Sequence, residues 1–329
     1  MGPLVLDKRH VLASGTASFA VSEKLRALCC LVGQAEVYEQ AGELLDKIGG
    51  VAISGMQIQR ICTHYGTLLD PLVEADCKAV IPRLEAADAR DPLYVMVDGS
   101  MVFTRPDEWR EMKLGRLFHG SATVDLSTKR RQTLRSVYVS HLGGVEKFFP
   151  KLERHLTGYT KRVIIGHGAR WIWNWAEDNY PGAVQILDFY HAKEKLVPFA
   201  RQQFAEAERR RAWIDEQCRT LREEPQGAEV VMRRVRACRS KDKGAREAKG
   251  KLLDYYLTHD DRMAYKKYRE EGLLIGSGPI EAAHRSVIQQ RMKRSGRKWS
   301  VGGAQAIANL RCYHRSQAWH LVEKIVQAA

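Results

Sequence analysis

The sequence predicts an α/β protein with an N-terminal helical region and a helical insertion, and three observations carry that prediction. Between residues 92 and 191, the runs PLYVMVDGSMVF, RQTLRSVYVSHL, KRVIIGHG and AVQILDFYH are rich in Val, Ile and Tyr, and short helical stretches separate the later ones. Apolar β-branched runs broken by turn residues are what the buried strands of a layered α/β fold require. Residues 22–48 carry a helical period instead. Residues 192–272 are almost entirely charged helix formers with an apolar stripe, and they interrupt the strand pattern as an insertion would.

Each element follows from its residues. Leu25, Leu28, Leu31 and Val32, then Ala41, Leu44, Leu45 and Ile48, recur at helical spacing and are expected to face a core. GGVAISG breaks the pattern, and Ser54 is placed to cap a second helix through QIQRICTHYG. Helix, glycine turn and capped helix outline a helix-turn-helix DNA reader, and equally any αα-hairpin; both readings stay open. The division expected is residues 1–85 as a helical, DNA-binding region, 86–191 as the first part of the α/β core, 192–272 as the helical insertion and 273–329 as the last part of the core.

Composition narrows the function. The chain has 329 residues, enough for two domains or for one with a sizeable insertion, and a formal net charge of +14. Such an excess favours a polyanionic partner, because each phosphate contact releases counterions. No apolar run approaches the roughly 20 residues that span a bilayer. The opening MGPLVLDKRHVLASG lacks the apolar stretch of a signal peptide, so a cytoplasmic, nucleoid-associated protein is expected, with no membrane partner. Seven cysteines (Cys29, Cys30, Cys62, Cys77, Cys218, Cys238 and Cys312) include no C-x-x-C pair. That argues against a disulfide framework and a zinc ribbon and for buried thiols.

Three acids stand where local structure should present them to a cleft. Asp98 ends YVMVD before a glycine, Asp188 ends VQILD, and Glu281 follows GSGPI in the first turn of a helix that Ser277 or Gly278 begins. Singly, each reads as well as a turn or cap residue. Together, on a basic chain, they are the donor set for divalent cations in phosphoryl transfer. The run RMKRSGRKW then sets Arg291, Lys293, Arg294, Arg297 and Lys298 around a glycine, with Trp299 able to stack on a base. A solvated basic face has the same composition. His284, Arg285 and Gln289 lie one to two helical turns beyond Glu281 and are expected to support the same cleft.

At these residues the chain resembles a known family. VDGSMVFTRPDEWREMKLGRLF, GHGARWIWN, LDFYHAKEKL and GSGPIEAAHRSVIQQRMKRSGRKWSVGGAQAIANLR, in this order, are similar to bacterial insertion-sequence transposases of the ISKra-like group, within the Mutator-like superfamily. The resemblance implies a ribonuclease-H-like catalytic core with a helical insertion before the final acid. It implies a DDE triad holding two Mg²⁺ (or Mn²⁺) ions for cleavage and strand transfer of transposon ends. The partners implied are double-stranded DNA and further copies of the chain, at least a dimer when DNA is bound.

Carried over residue by residue, Asp98 matches the first acid and Glu281 the last. Asp188 with His191 matches a separate D/C-x-x-H motif, and the position of the second acid is held by His167, in Gly166-His167-Gly168. Mg²⁺ prefers oxygen ligands, whereas neutral imidazole suits Zn, Ni or Cu. Three accounts are open: a core that binds DNA without strand transfer, rescue by Asp188 as second ligand, or service by His167 with Mn²⁺. A hydrolase using His167 and His191 as a zinc pair is a further class. Relatives often carry additional N-terminal DNA-binding sequence, so recognition of element ends is expected either to be weakened or to rest wholly on residues 22–66 and the basic insertion.

Overall fold

The computed structural model describes residues 19, 21–70, 82, 84–88, 90–106, 108–127, 130–159, 161–240 and 242–328. Cys77 and residues 1–18, on which the leader reading rests, lie outside them. In chain order, α1 (Glu23–Ala35), α2 (Tyr38–Gly49) and α3 (Gly55–Leu68) precede β1 (Leu93–Thr104) and β2 (Glu108–His119). The short pair β3 (Thr123–Ser127) and β4 (Arg130–Thr133) is followed by β5 (Val137–Leu142) and α4 (Val145–Glu153). Next come β6 (Arg162–Gly166), α5 (Arg170–Asn179), β7 (Val184–Leu187) and α6 (Phe189–Gln203). Four helices succeed them: α7 (Ala207–Glu223), α8 (Gly227–Ala237), α9 (Lys243–His259) and α10 (Tyr265–Glu270). The last stretch holds α11 (Gly278–Ala283), a π-helical turn His284–Gln289, α12 (Gln290–Met292), α13 (Val301–Arg315) and α14 (Trp319–Ala328).

The sheet has five strands in the order β5-β2-β1-β6-β7, parallel from β1 through β7 and antiparallel between β2 and β5. The protein is therefore mixed α/β, as the alternation of strand and helix runs predicts. The chain falls into two compact units, one of Met1–Asp91, Gly99–Thr160 and Ile280–Ala329, the other of Pro92–Asp98 and Lys161–Pro279.

In the first unit, α13 packs on α3 and β5, and α1 on α3. Ser54 caps α3 as expected, its Oγ accepting from the Gln57 N–H at 3.3 Å. The apolar stripe predicted for residues 22–48 is buried in part: Ala41 and Leu45 are buried and Leu25, Leu31 and Val32 half-buried, but Leu28, Leu44 and Ile48 are exposed, and Arg26, Ala27, Cys29, Cys30 and Gly33 are buried in addition. Small side chains let α1 and α3 approach closely, and Arg26 is buried because it donates to the Tyr65 hydroxyl at 2.9 Å. A Cβ at Gly33 would lie 2.6 Å from Cys62 Sγ and 2.9 Å from Ile58 Cγ2, so a larger residue there requires both side chains to shift. Of the six described cysteines, five are buried.

Strand β2 is the element the hydrophobic pattern misses. EWREMKLGRLFH is studded with charge, yet Lys113 and Arg116 are buried with Met112, Leu114, Leu117 and Phe118. Their charges are satisfied locally. Lys113 Nζ donates to Glu111 at 2.7 Å and to the Gly143 carbonyl at 2.8 Å, and Arg116 donates to Ser136 Oγ at 3.0 Å. The run RQTLRSVYVSHL is not one strand but two, β4 and β5.

In the second unit, β6 and β7 run in parallel register beside Leu93–Met96 of β1, and α6 to α10 pack on one another, α6 on α7 and α9 and α7 on α8 and α10. Val163, Ile164, Ile165, Ile186 and Leu187 are fully buried, which explains their unbroken apolar runs. Tyr256 of α9 is fully buried and ties α9 to α6 by donating to the Ala192 carbonyl at 3.0 Å. Among the described residues no helix is long and apolar enough to cross a membrane.

A strand-end acid–imidazole cluster

Register aligns the predicted residues. Met96 of β1 pairs with Ile165 of β6, and Gly166 pairs with Leu187 of β7. Two residues beyond Met96 is Asp98, two beyond Ile165 is His167, and one beyond Leu187 is Asp188. The carboxyl ends of parallel strands are where open α/β sheets hold ligands. Asp98 is not at a strand end, however: β1 runs on through Gly99 to Thr104, and only its pairing with β6 stops before Asp98.

His167 Nε2 stands 3.5 Å from Asp98 Oδ1, each side chain one quarter exposed. The His167 ring also lies 5.6 Å from that of His191 and 6.2 Å from that of Trp171. Gly168 follows because the Tyr255 ring occupies the space of a side chain there; a Cβ would meet Tyr255 Cζ at 2.8 Å. The histidine thus faces the first acid directly, in the turn that the resemblance assigns to the second acid.

Asp188 is withdrawn. Its side chain is fully buried and caps α6, with Oδ2 accepting from the His191 N–H at 3.0 Å and from His191 Nδ1 at 2.5 Å. Oδ1 accepts from the Ser277 N–H at 2.7 Å. Burial alone would raise this carboxyl, but the bonds from the His191 ring and from the Ser277 and His191 amides outweigh it and hold it below the usual carboxylate range. The same bond from Asp188 raises the His191 imidazole against the opposing effect of its own burial. Both shifts favour the charge-paired form of the couple, with the His191 Nδ1 engaged by Asp188 Oδ2.

This donor set does not fit two hard dications. Asp188 has no oxygen left without an N–H partner, and His167 offers nitrogen where oxygen is preferred. Among the described residues no three His, Cys, Asp or Glu side chains form a group that can hold a metal ion. Glu281 is exposed in the first turn of α11, the helix predicted to begin at Ser277 or Gly278.

The basic run is divided by burial. Arg291 is fully buried, its guanidinium 4.9 Å from the ring centroids of both Tyr38 and Trp299, with Nε donating to the Gly33 carbonyl at 3.3 Å. Trp299 is 7% exposed and its Nε1 donates to the Met292 carbonyl at 3.1 Å. Neither side chain is on the surface, so as placed neither offers the phosphate or base contact expected of it: Arg291 and Met292 are buried in α12, residues 293–296 are exposed, and Trp299 is buried again. Lys293, Arg294 and Lys298 are exposed and Arg297 half-buried, and Arg294 is paired with Glu36 at 3.0 Å. His284 is buried in the π-helical turn, while Arg285 and Gln289 are exposed.

Sequence reasoning missed the Ser277 amide and Tyr255. The first is a backbone group, invisible to residue type, and the second lies in a charged helix with no local signal of chemistry.

Fold and cluster together define a mixed α/β protein with an acid–imidazole site just beyond the point where the pairing of its parallel strands stops. Among known proteins, the chain is 25% identical over 297 residues to the UPF0236 protein in vanSb 3'region of Streptococcus gallolyticus, a match covering 87% of this chain and 62% of that protein. The chain thus spans less than two thirds of that relative's length. No family model matches it.

Proposed function

We propose that this chain is a DNA-binding protein on a DDE-transposase scaffold of ribonuclease-H-like type, with its cleavage and strand-transfer chemistry impaired. One observation carries the reading: His167 faces Asp98 at 3.5 Å while Asp188, the carboxylate at the end of the next strand, has both oxygens engaged by N–H donors. Rescue by Asp188 would require breaking three hydrogen bonds in a buried site, at a cost of several kcal/mol. The scaffold reading is supported by a mixed sheet with a helical insertion, α7 to α10, between the Asp188 segment and Glu281. The DNA reading is supported by the +14 charge and by the exposed Lys293, Arg285 and Lys298.

The test pairs binding with cleavage on duplexes carrying the ends of the surrounding element. The logarithm of the affinity should fall linearly with the logarithm of salt concentration, and binding should survive both Asp98→Ala and Glu281→Ala. Neither Mg²⁺ nor Mn²⁺ should support nicking by the natural protein, and His167→Asp should restore it. Nicking by the natural protein that disappears in Asp98→Ala refutes the impairment; absence of duplex binding at low salt refutes the DNA reading.

A further inference from the structure

In the first unit, the hairpin of β1 and β2 carries an aromatic face on its surface. Trp109 is 63% exposed and Met101 43% exposed, and the Trp109 ring lies 5.1 Å from that of Phe103. Met101 and Phe103 are two apart on β1 and so share a face. A large exposed indole beside another aromatic ring and a methionine is apolar surface that monomeric proteins seldom leave open without use.

A cation is set against this face because the basic loop is tied to it. The Arg105 N–H donates to the Trp299 carbonyl at 2.7 Å, and the Trp299 N–H donates to the Phe103 carbonyl at 3.2 Å. Thr104 and Trp299 form an isolated parallel bridge. With the Trp299 side chain turned into the core, Lys298 is set outward, its Nζ 5.4 Å from the Phe103 ring centroid. Arg105 is exposed on the same hairpin, and Arg110 is held by Glu108 at 2.7 Å.

We propose that Trp109, with Phe103 and Met101 behind it, is a stacking platform for an unpaired base, and that Lys298 and Arg105 contact the flanking phosphates. The inference rests on the DNA-binding reading and adds the class of ligand to it: a strand with an unstacked base, as at a frayed or single-stranded end. The chemistry distinguishes this from a protein-docking patch. A π-face takes any base and the adjacent cations take the backbone, whereas an apolar protein contact gains nothing from a rim of positive charge alone.

The experiment compares a labelled blunt duplex with the same duplex carrying a short single-stranded tail, by fluorescence anisotropy at fixed salt, on the full chain. Trp109→Ala should weaken binding of the tailed duplex roughly 5- to 150-fold, the range for losing one base–aromatic stack, and leave the blunt duplex within about two-fold. Trp109→Phe should retain most of the tail preference. Lys298→Gln should lower the salt slope by about 0.7 to 0.9 on the tailed substrate. A 2-aminopurine placed in the tail should become less fluorescent on binding to the natural protein and stay unchanged with Trp109→Ala. Equal losses on blunt and tailed duplexes, or no loss on either, overturn the platform. If the natural protein binds neither duplex, the DNA reading falls with it; if it binds the blunt duplex with no tail effect of Trp109→Ala, only the platform falls.

Discussion

Replacing Asp188 by alanine separates a structural carboxylate from a metal ligand in waiting. The substitution removes an N-cap, worth about 1 kcal/mol. It removes a charge-assisted bond to the His191 ring, worth about 1.5–3 kcal/mol, and leaves the buried Ser277 amide unsatisfied, at about 1–3 kcal/mol. These effects share one side chain and do not add fully, so a loss of about 3–5 kcal/mol is expected. With a urea slope of about 2 kcal/mol per molar, the unfolding midpoint falls by about 2 M. Trp173 and Trp175, buried in α5 of the same unit, report the transition by fluorescence. Asp188→Asn keeps one acceptor and loses roughly half as much. A carboxylate held only for a cation would behave oppositely, because removing it from a site beside Asp98 relieves like-charge repulsion. A midpoint unchanged or raised in Asp188→Ala refutes the structural reading of the residue.

The same pair sets a pH dependence with two limits. Asp188 is lowered, so its contribution is complete above the ordinary carboxylate range and is lost as pH falls through its folded value. His191 is raised, so its contribution is complete below the ordinary imidazole value and is lost as pH rises through its folded value. Stability measured across pH should show both limbs in the natural protein and lose them in Asp188→Asn. Gly168→Ala drives a methyl group into the Tyr255 ring and should cost about 1–3 kcal/mol of stability in the same urea assay, with Tyr255→Ala recovering part of the loss. Arg291→Ala, at a fully buried guanidinium held by Tyr38, Trp299 and the Gly33 carbonyl, should cost about 3 kcal/mol or more while leaving the salt slope of DNA binding unchanged. A slope reduced by one contact would return Arg291 to the phosphate-binding set.

Much of the layout was legible from local pattern. Buried parallel strands need β-branched residues on both faces, so VIIG and VQIL announced β6 and β7. The charged stretch after Asp188 announced the helices of the insertion, and Ser54 and the Ser277-Gly278 pair marked helix starts. The position of His167 beyond a strand was also readable, because glycine and an apolar run bracket it.

What local pattern could not supply was the environment of each group. Lys113 and Arg116 hide β2 from a hydrophobicity argument, since Glu111 pairs with the Lys113 ammonium while the Gly143 carbonyl and the Ser136 hydroxyl, 30 and 20 residues away, accept from the two buried side chains. Arg291 and Trp299 look like nucleic-acid contacts in a basic run, but tertiary packing turns them inward and leaves Trp109, unremarked in the sequence, on the surface. Residue type alone made Asp188 an acid at the end of a strand. The fold brings the Ser277 amide to it from 89 residues away and makes it a buried cap. Sequence by itself determined which residues are acids, bases and strand formers, because those are covalent and local properties. Only the tertiary structure decided which of them keep an unshared lone pair or an exposed face, because burial and hydrogen-bond satisfaction depend on partners that the chain meets on folding.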